Sequence, residues 1–295
     1  PPPPLPDQTE GARGGGGAGK PVAEQRVVVC GLVKNNAEFL QDSLDRLLGL
    51  RRVFGGVKVV LFENDSTDGT VAIIKETQRQ HPGVITLLQE TNLPANRTNS
   101  ETIRVLAYGR NRVMRHALQK HPDFDLVIMC DLDQVLARFH AGMVEDCLAL
   151  YPPGSWEMLT ANSYSEYYDI FALRTEANTI WKEPLLDNCW APLRRPGVRL
   201  TKELLYKLVG RHQRVIPPIS PIIPVISAFG GLFIAKLSSC HGCAYDARSG
   251  ESEHVAFCRD FSRGKGGEAG GRIFICPKLQ LQAEAIHLVD KVGHS

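Results

Sequence analysis

Short apolar runs alternate with longer segments of helical periodicity through the first 130 residues. Four runs have the β-branched, apolar character of buried strands: Arg26–Val33, Val57–Phe62, Val84–Leu88 and Leu126–Cys130. Three segments between them carry apolar residues at helical spacing: Ala37–Arg52, Asp68–Gln78 and Thr102–Lys120. Strands that alternate with helices form a mostly parallel sheet joined by right-handed crossovers. The sequence therefore predicts an α/β fold in which helices flank such a sheet.

Composition divides the chain into three parts. Residues 1–24 form a Pro- and Gly-rich arm that lacks the apolar residues of a core, and we predict that this arm is disordered. Residues 25–135 contain the alternating pattern and predict a nucleotide-binding half. In residues 136–295 the pattern loosens and Pro, Trp and Tyr become more frequent. We expect this second half of the same domain to bind a second substrate and to complete the catalytic site.

Acidic turns follow two of the predicted strands. Asp131 and Asp133 come directly after Leu126–Cys130, whereas Glu63 and Asp65 come after Val57–Phe62. The carboxyl ends of parallel strands meet at one edge of a sheet, where a crevice binds ligands. Carboxylates one residue apart can share Mn²⁺ or Mg²⁺, and such a cation can hold a diphosphate. Glu63 and Asp65 are candidates to contact a nucleoside, while Asp68 is predicted to cap the next helix.

Five further residues are candidates for the same site. Arg110, in the third predicted helix, would offset phosphate charge. Glu253 could be a general base for an acceptor hydroxyl, and His254 a further metal ligand or a phosphate contact. Gly230 and Gly231 lie in a small-residue loop where a sugar could approach the backbone. Surface positions are the alternative interpretation for Arg110, Glu253 and His254.

In this order, these residues resemble the glycosyltransferases of the GT-A fold, which use nucleoside-diphosphate sugars. Asp131–Asp133 is similar to the metal-binding Asp-x-Asp motif of that family, and Glu63–Thr70 to its nucleotide-contacting turn. Tyr108–Asn111 is similar to the Ala-Arg-Asn segment of fungal mannosyltransferases. The resemblance implies a Rossmann-like GT-A fold. It also implies metal-dependent transfer of a hexose from a GDP- or UDP-sugar to a glycan or glycoconjugate hydroxyl.

A finer resemblance points to the fungal capsule-associated α-1,3-mannosyltransferase group. It rests on Ala161-Asn162, Tyr167–Arg174, the Gly-Gly loop and Glu253–Val255. It implies a GDP-mannose-like donor, a retained anomeric configuration, and a sugar or acceptor pocket lined by Tyr168, Asp169 and Arg174. It also implies a type II membrane protein of the Golgi lumen, whose anchor would precede this chain. The stereochemistry stays open, because inverting members use an acid placed like Glu253 as the base and retaining members need none.

Two other classes of protein remain as alternatives. A haloacid-dehalogenase-type phosphatase also carries Asp-x-Asp after an apolar strand, with a nucleophile at the position of Asp131. Those enzymes usually have Thr where this chain has Val135, and their motif normally opens the domain. A non-catalytic relative that binds a nucleotide sugar or carbohydrate is the second alternative. The net charge of only +2 gives no electrostatic argument for nucleic acid as a partner.

Overall fold

A computed structural model of the chain describes residues 20–93, 99–151, 154–176, 179–195, 197–247, 250–264, 272–283 and 288–289. Residues 1–19 of the predicted arm lie outside this set, and its last residues, Val22–Glu24, form one turn of 3-10 helix. Among the described residues, we find no helix with the length and apolar content that crossing a bilayer requires.

One sheet of eight strands runs through the described part of the chain. The strands are β1 Arg26–Val33, β2 Gly56–Asn64, β3 Ile85–Glu90, β4 Leu126–Asp131, β5 Met158–Ser163, β6 Ile223–Pro224, β7 Leu232–Lys236 and β8 Ile273–Leu281. Their spatial order is β3-β2-β1-β4-β7-β5-β8-β6. β1 to β4 are mutually parallel, β5 and β8 are parallel to one another, and β7 and β6 run antiparallel to their neighbours. The predicted mostly parallel sheet is therefore confirmed.

Helices cover both faces of this sheet. They are α1 Ala37–Leu48, α2 Thr70–Gln80, α3 Asn99–Lys120, α4 Ala141–Leu150, α5 Lys202–Leu208 and α6 Glu253–Ser262. The side chains of β1 alternate between two apolar clusters: Val27 and Val29 pack on the side of α1 and α4, while Val28 and Cys30 pack on the side of α3 and α6. Burial on both faces explains why the predicted strands are continuously apolar.

The strand pairing brings the two halves of the chain together at β4. This strand pairs with β1 on one side and with β7, from the second half, on the other. The backbone N–H of Asp131 donates to the carbonyl oxygen of Gly231 at 2.9 Å. The last residue of β4 is thus fixed against the Gly-Gly loop that precedes β7, and the carboxyl end of β4 lies where both halves meet.

Candidate active site

Arg110 is the centre of a largely buried charge cluster at the carboxyl end of β4, in which the Asp131 side chain keeps 33% of its surface exposed. Its side chain, on α3, is only 5% exposed and donates from Nη2 to Oδ1 of Asp131 at 2.8 Å. Nη1 donates to Oε1 of Glu253, the first residue of α6. The guanidinium carbon also lies 5.2 Å from the centre of the Phe229 ring, within cation–π range. One arginine therefore holds together two carboxylates that are far apart in the sequence.

Burial changes the proton affinity of both carboxylates. Burial raises the pKa of Asp131 to about 7, against the opposing effect of Arg110, and the negative charges of Asp133 and Glu253 add to the rise. Burial also raises the pKa of Glu253, which Arg110 partly opposes. Desolvation disfavours the charged form of any acid, and a nearby cation restores part of the loss. The cluster thus contains carboxyl groups that bind protons more tightly than exposed ones do.

The Asp131–Asp133 turn is fixed by the residue between the two acids. The Leu132 side chain is buried, and its carbonyl oxygen accepts hydrogen bonds from Asn36 Nδ2 at 2.7 Å and Ser43 Oγ at 2.9 Å. Asp133 accepts the backbone N–H of Val135 at 3.0 Å and caps a 3-10 helix, Gln134–Arg138. Both acids are consequently held in place by the backbone around them.

A cleft of about 640 Å³ opens beside this turn. Its charged side contains Arg110, Asp131, Asp133, Asp169 and Glu253. The rest of its lining is mainly apolar and includes Tyr168, Phe171, Trp190, Leu193, Leu200 and Phe229. Ligand sites typically combine an apolar wall with a few polar groups that fix orientation, in cavities of roughly this size. The cleft therefore has the make-up of a small-molecule site.

The Gly-Gly loop forms part of the support of the cleft. Gly230 and Gly231 have positive φ angles of 66° and 88°, which favour glycine. A Cβ on Gly230 would lie 2.5 Å from the carbonyl oxygen of Ala161, and one on Gly231 would lie 2.4 Å from a methyl group of Val135. Asp169 accepts the backbone N–H of Gly230 at 3.0 Å. The loop can therefore approach the acidic turn closely only because it has no side chains.

His254 lies beside Glu253 in an apolar environment. Its ring stacks on Phe229 with centroids 3.8 Å apart, and neither ring nitrogen has a hydrogen-bond partner among the described residues. Burial holds the pKa of His254 well below its usual value, so the imidazole is neutral. Nε2 is 3.7 Å from the Glu253 carboxylate. His254 thus belongs to the lining of the cleft, but its two unpaired nitrogen atoms are buried.

The structure places the carboxylates of Glu63 and Asp65 within their own turn. Glu63 is fully buried and accepts from the Ser66 backbone and from Gln89, both at 2.8 Å. Asp65, at a φ of 52°, accepts the backbone N–H groups of Asn92 at 2.7 Å and Leu93 at 3.2 Å. Neither residue lines the cleft. These two acids shape the turn after β2, and the structure does not bring them to Asp131.

Asp68 caps two helices at the same edge of the sheet. One carboxylate oxygen accepts the N–H of Thr70, the first residue of α2, at 3.0 Å. The other accepts the N–H of Ala37, the first residue of α1, also at 3.0 Å. The predicted capping role is confirmed, and it extends to a second helix.

Arg174 also lies outside the cleft lining. Its buried guanidinium donates to the carbonyl oxygens of Phe171 at 3.1 Å and Leu173 at 2.7 Å. It thereby supports the wall that Tyr168 and Phe171 present to the cleft. Trp190, Leu193 and Leu200 also line this wall, and the sequence analysis missed them. A Trp in a Pro-containing loop was the only sequence signal that could have indicated this part of the wall.

Asp131 and Asp133 fit a hard divalent cation as a two-ligand site. Each keeps one carboxylate oxygen, Oδ2, that no described residue hydrogen-bonds. Cations such as Mg²⁺ are often held by one or two carboxylates together with substrate phosphates and water. No group of three or more His, Cys, Asp or Glu side chains that could hold a metal occurs among the described residues. His254 therefore does not complete such a group, and its role as a ligand stays a prediction.

The fold and the site together define an α/β protein with an acidic cleft at the carboxyl edge of its sheet. No protein-family model matches the chain, and no curated protein matches it significantly. Among solved structures, S. aureus TarS 1-349 in complex with UDP-GlcNAc matches with a TM-score of 0.50 and 13% identity, over 89% of this chain and 60% of that one. This likeness supports the GT-A fold.

Two further structures match with lower TM-scores. The mannosyltransferase PcManGT from Pyrobaculum calidifontis, in complex with GDP-Man and Mn²⁺, gives 0.48 at 16% identity, over 92% of this chain and 59% of that one. Glucosyl-3-phosphoglycerate synthase from Mycobacterium tuberculosis, in complex with UDP, gives 0.43 at 14% identity, over 92% and 78%. The chain spans about three fifths of the length of PcManGT and of TarS 1-349.

Proposed function

We propose that this chain is a metal-dependent glycosyltransferase. It would move a hexose, with mannose favoured, from a nucleoside-diphosphate sugar to a hydroxyl of a glycan or glycoconjugate. The observation that carries this proposal is the geometry at the carboxyl end of β4. There, the free carboxylate oxygens of Asp131 and Asp133 and the guanidinium of Arg110 border one cleft of about 640 Å³.

The acidic turn would hold the diphosphate end of the donor through a cation. Asp131 and Asp133 would each give one oxygen to Mn²⁺ or Mg²⁺. When bound, the cation would neutralise the charge of the diphosphate that leaves. Arg110 would keep Asp131 oriented toward the metal and add positive charge beside the phosphates. Glu63 and Asp65 would serve the nucleoside through the turn that they stabilise, because the structure uses their carboxylate oxygens within it.

Glu253 is the proposed base on the inverting alternative. A buried carboxylate with a raised pKa accepts a proton more readily than an exposed one, and Glu253 lines the cleft beside Asp131. It would take the proton of the acceptor hydroxyl as that oxygen attacks the anomeric carbon and the diphosphate leaves. On the retaining alternative Glu253 takes no proton, and its contribution is the ion pair that positions Arg110.

The acceptor would bind against the apolar wall. Tyr168, Phe171 and Trp190 contribute aromatic side chains to the lining, and Asp169 contributes a carboxylate. Aromatic rings supply apolar contact area for a sugar ring, and a few polar groups then set its orientation. The proposed location is the Golgi lumen, which the family resemblance alone supports.

Donor turnover with substituted acids tests the proposal. We would measure release of GDP or UDP from GDP-mannose and UDP-sugars with Mn²⁺ and with a chelator. Asp131→Asn and Asp133→Asn should abolish the metal-dependent turnover of the preferred donor. Asp42→Asn, which changes an exposed acid on α1, is the matched control and should leave turnover unchanged.

Three other outcomes would contradict the proposal. Unchanged metal-dependent turnover in both Asp131→Asn and Asp133→Asn would remove the acids from the reaction. An aspartyl-phosphate trapped on Asp131 would identify a phosphatase. Donor binding by the unsubstituted protein, without hydrolysis or transfer to any acceptor glycan, would identify a non-catalytic relative.

A further inference from the structure

Two buried cysteines face one another between α4 and β8. The Sγ atoms of Cys147 and Cys276 lie 2.8 Å apart, and both residues are fully buried. Elsewhere in the described part of the chain, the thiols of Cys30 and Cys258 lie 3.8 and 3.9 Å from the carbonyl oxygens that they contact. A covalent S–S bond measures about 2.05 Å. The two sulfur atoms are thus much closer than the other thiols are to their partners.

We propose that Cys147 and Cys276 form a disulfide bond in the mature protein. Both belong to the apolar cluster on the α1 and α4 side of the sheet, where their neighbours are aliphatic and aromatic side chains. The pair is not part of a metal-binding group among the described residues. Among the eight cysteines, Cys147 and Cys276 are brought sulfur to sulfur in the structure as described. The geometry therefore selects one pair.

The bond would join two parts of the chain that lie far apart in sequence. Cys147 follows the Asp131–Asp133 turn, Cys276 lies near the end of the described chain, and 129 positions separate them. Further along the chain from Cys276, the backbone N–H of Gln282 donates to the carbonyl oxygen of Val135 at 3.1 Å. The bridged loop contains the Gly-Gly loop and α6. A cross-link that closes so long a loop restricts the unfolded chain strongly.

The oxidation needs an acceptor for two electrons, and a disulfide compound can supply it. A thiolate of one cysteine attacks oxidised glutathione, or an oxidoreductase disulfide, and one thiol leaves. The second cysteine then attacks the mixed disulfide, so that Cys147–Cys276 forms and a second thiol leaves. Because both sulfur atoms are buried in the fold, the exchange has to occur before this part of the core closes. Such bonds form and persist in oxidising compartments.

Oxidative refolding with thiol mapping tests the bond directly. The full chain is unfolded with a reductant and refolded in a buffer of reduced and oxidised glutathione. Free thiols are then blocked with N-ethylmaleimide in guanidinium chloride, and the digest is analysed by mass spectrometry. We expect six of the eight cysteines to be alkylated and one cross-linked peptide pair to contain Cys147 and Cys276. Eight alkylated cysteines, or a cross-link between any other pair, would overturn the proposal.

Thermal stability gives a second readout on the same preparation. Reduction should lower the melting temperature of the oxidised protein by about 10 °C, as expected for a bridge that closes a long loop. Cys30→Ala is the matched control, because Cys30 is equally buried and contacts a carbonyl oxygen rather than a thiol. Reduction should destabilise Cys30→Ala as it does the unsubstituted protein, but should leave Cys147→Ala unchanged. Equal melting temperatures for the oxidised and reduced unsubstituted protein would contradict the bond even if Cys147→Ala failed to fold.

Discussion

Replacing Arg110 by Met should destabilise the protein strongly and in a pH-dependent manner. The substitution keeps the length of the side chain but removes the cation from between Asp131 and Glu253. Glu253 is only 5% exposed, so it would become a buried carboxylate without its partner. Removing one member of a buried ion pair typically costs 3–5 kcal/mol, and we expect a loss of about that size at pH 7.5.

The loss should shrink as the pH falls. Without Arg110, burial alone acts on Glu253 and raises its pKa further, so the folded variant holds a proton that the unfolded chain has released. A group whose pKa is raised on folding loses stability as the pH rises between its unfolded and folded pKa values. For one proton the slope is about 1.4 kcal/mol per pH unit. Between pH 5.5 and 7.5 the destabilisation should therefore grow, by at most about 2.7 kcal/mol for one proton.

Urea denaturation followed by circular dichroism at both pH values measures these differences. Arg112→Met is the control: Arg112 lies on the same helix and pairs with Glu90 at 2.7 Å, but 37% of its side chain is exposed. Exposed pairs contribute about 1 kcal/mol or less, so this variant should change little and without pH dependence. Arg110→Met combined with Glu253→Gln should recover most of the loss at pH 7.5. A small, pH-independent effect of Arg110→Met, like that of the control, would refute the buried ion-pair cluster.

Three further predictions concern the cleft. Burial raises the pKa of Asp131 to about 7, so Mn²⁺ must displace a proton to bind there. The affinity for Mn²⁺, measured by calorimetry, should therefore fall up to about tenfold per pH unit below pH 7. A constant affinity from pH 5.5 to 7.5 would contradict this. Gly231→Ala should lower the free energy of unfolding by about 2–4 kcal/mol, through backbone strain and the contact with Val135. Gly154 also has a positive φ, of 100°, but has open space around it, so Gly154→Ala should cost only about 1 kcal/mol. Equal losses of the two variants in urea denaturation would exclude the contact with Val135. On the inverting alternative, Glu253→Gln should reduce kcat by about 100- to 10,000-fold with little change in donor affinity, and the anomeric configuration of the unsubstituted enzyme's product by NMR should be inverted; a retained configuration would remove Glu253 as the base.

The sequence predicted the first half of the fold well because local periodicity decides it. β1 was predicted with the bounds that it has, and the helix predicted at Ala37–Arg52 is α1 followed by a 3-10 turn at Gly49–Arg52. Strands buried on both faces leave a continuous apolar signal. The second half offers a weaker signal, since β6 has only two residues and the regular structure next to Trp190 is a short 3-10 helix, Ala191–Arg194. Its order is set by tertiary packing, which sequence patterns do not show.

The site was predictable in its parts but not in its connections. The Asp131–Asp133 turn could be identified because it directly follows an apolar strand. The ion pair of Arg110 with Glu253 joins residues 143 positions apart, and no local pattern indicates it. The predicted contact of Asp65 with the nucleoside required a carboxylate that no other group of the protein binds. Its left-handed backbone turns that carboxylate toward the N–H groups of Asn92 and Leu93, which a single sequence could not reveal.

The double cap by Asp68 has a consequence for how a phosphate can bind at this edge of the sheet. In many nucleotide-binding folds, the N-terminus of the helix after the first strand attracts the phosphate with its free N–H groups and its dipole. Here a carboxylate of the protein already lies at the first N–H of both α1 and α2. A diphosphate that approached the N-terminus of α1 or α2 would therefore meet the negative charge of Asp68, which already accepts these N–H groups. The anion would instead need positive charge from elsewhere in the cleft, and the cation proposed between Asp131 and Asp133 would provide it.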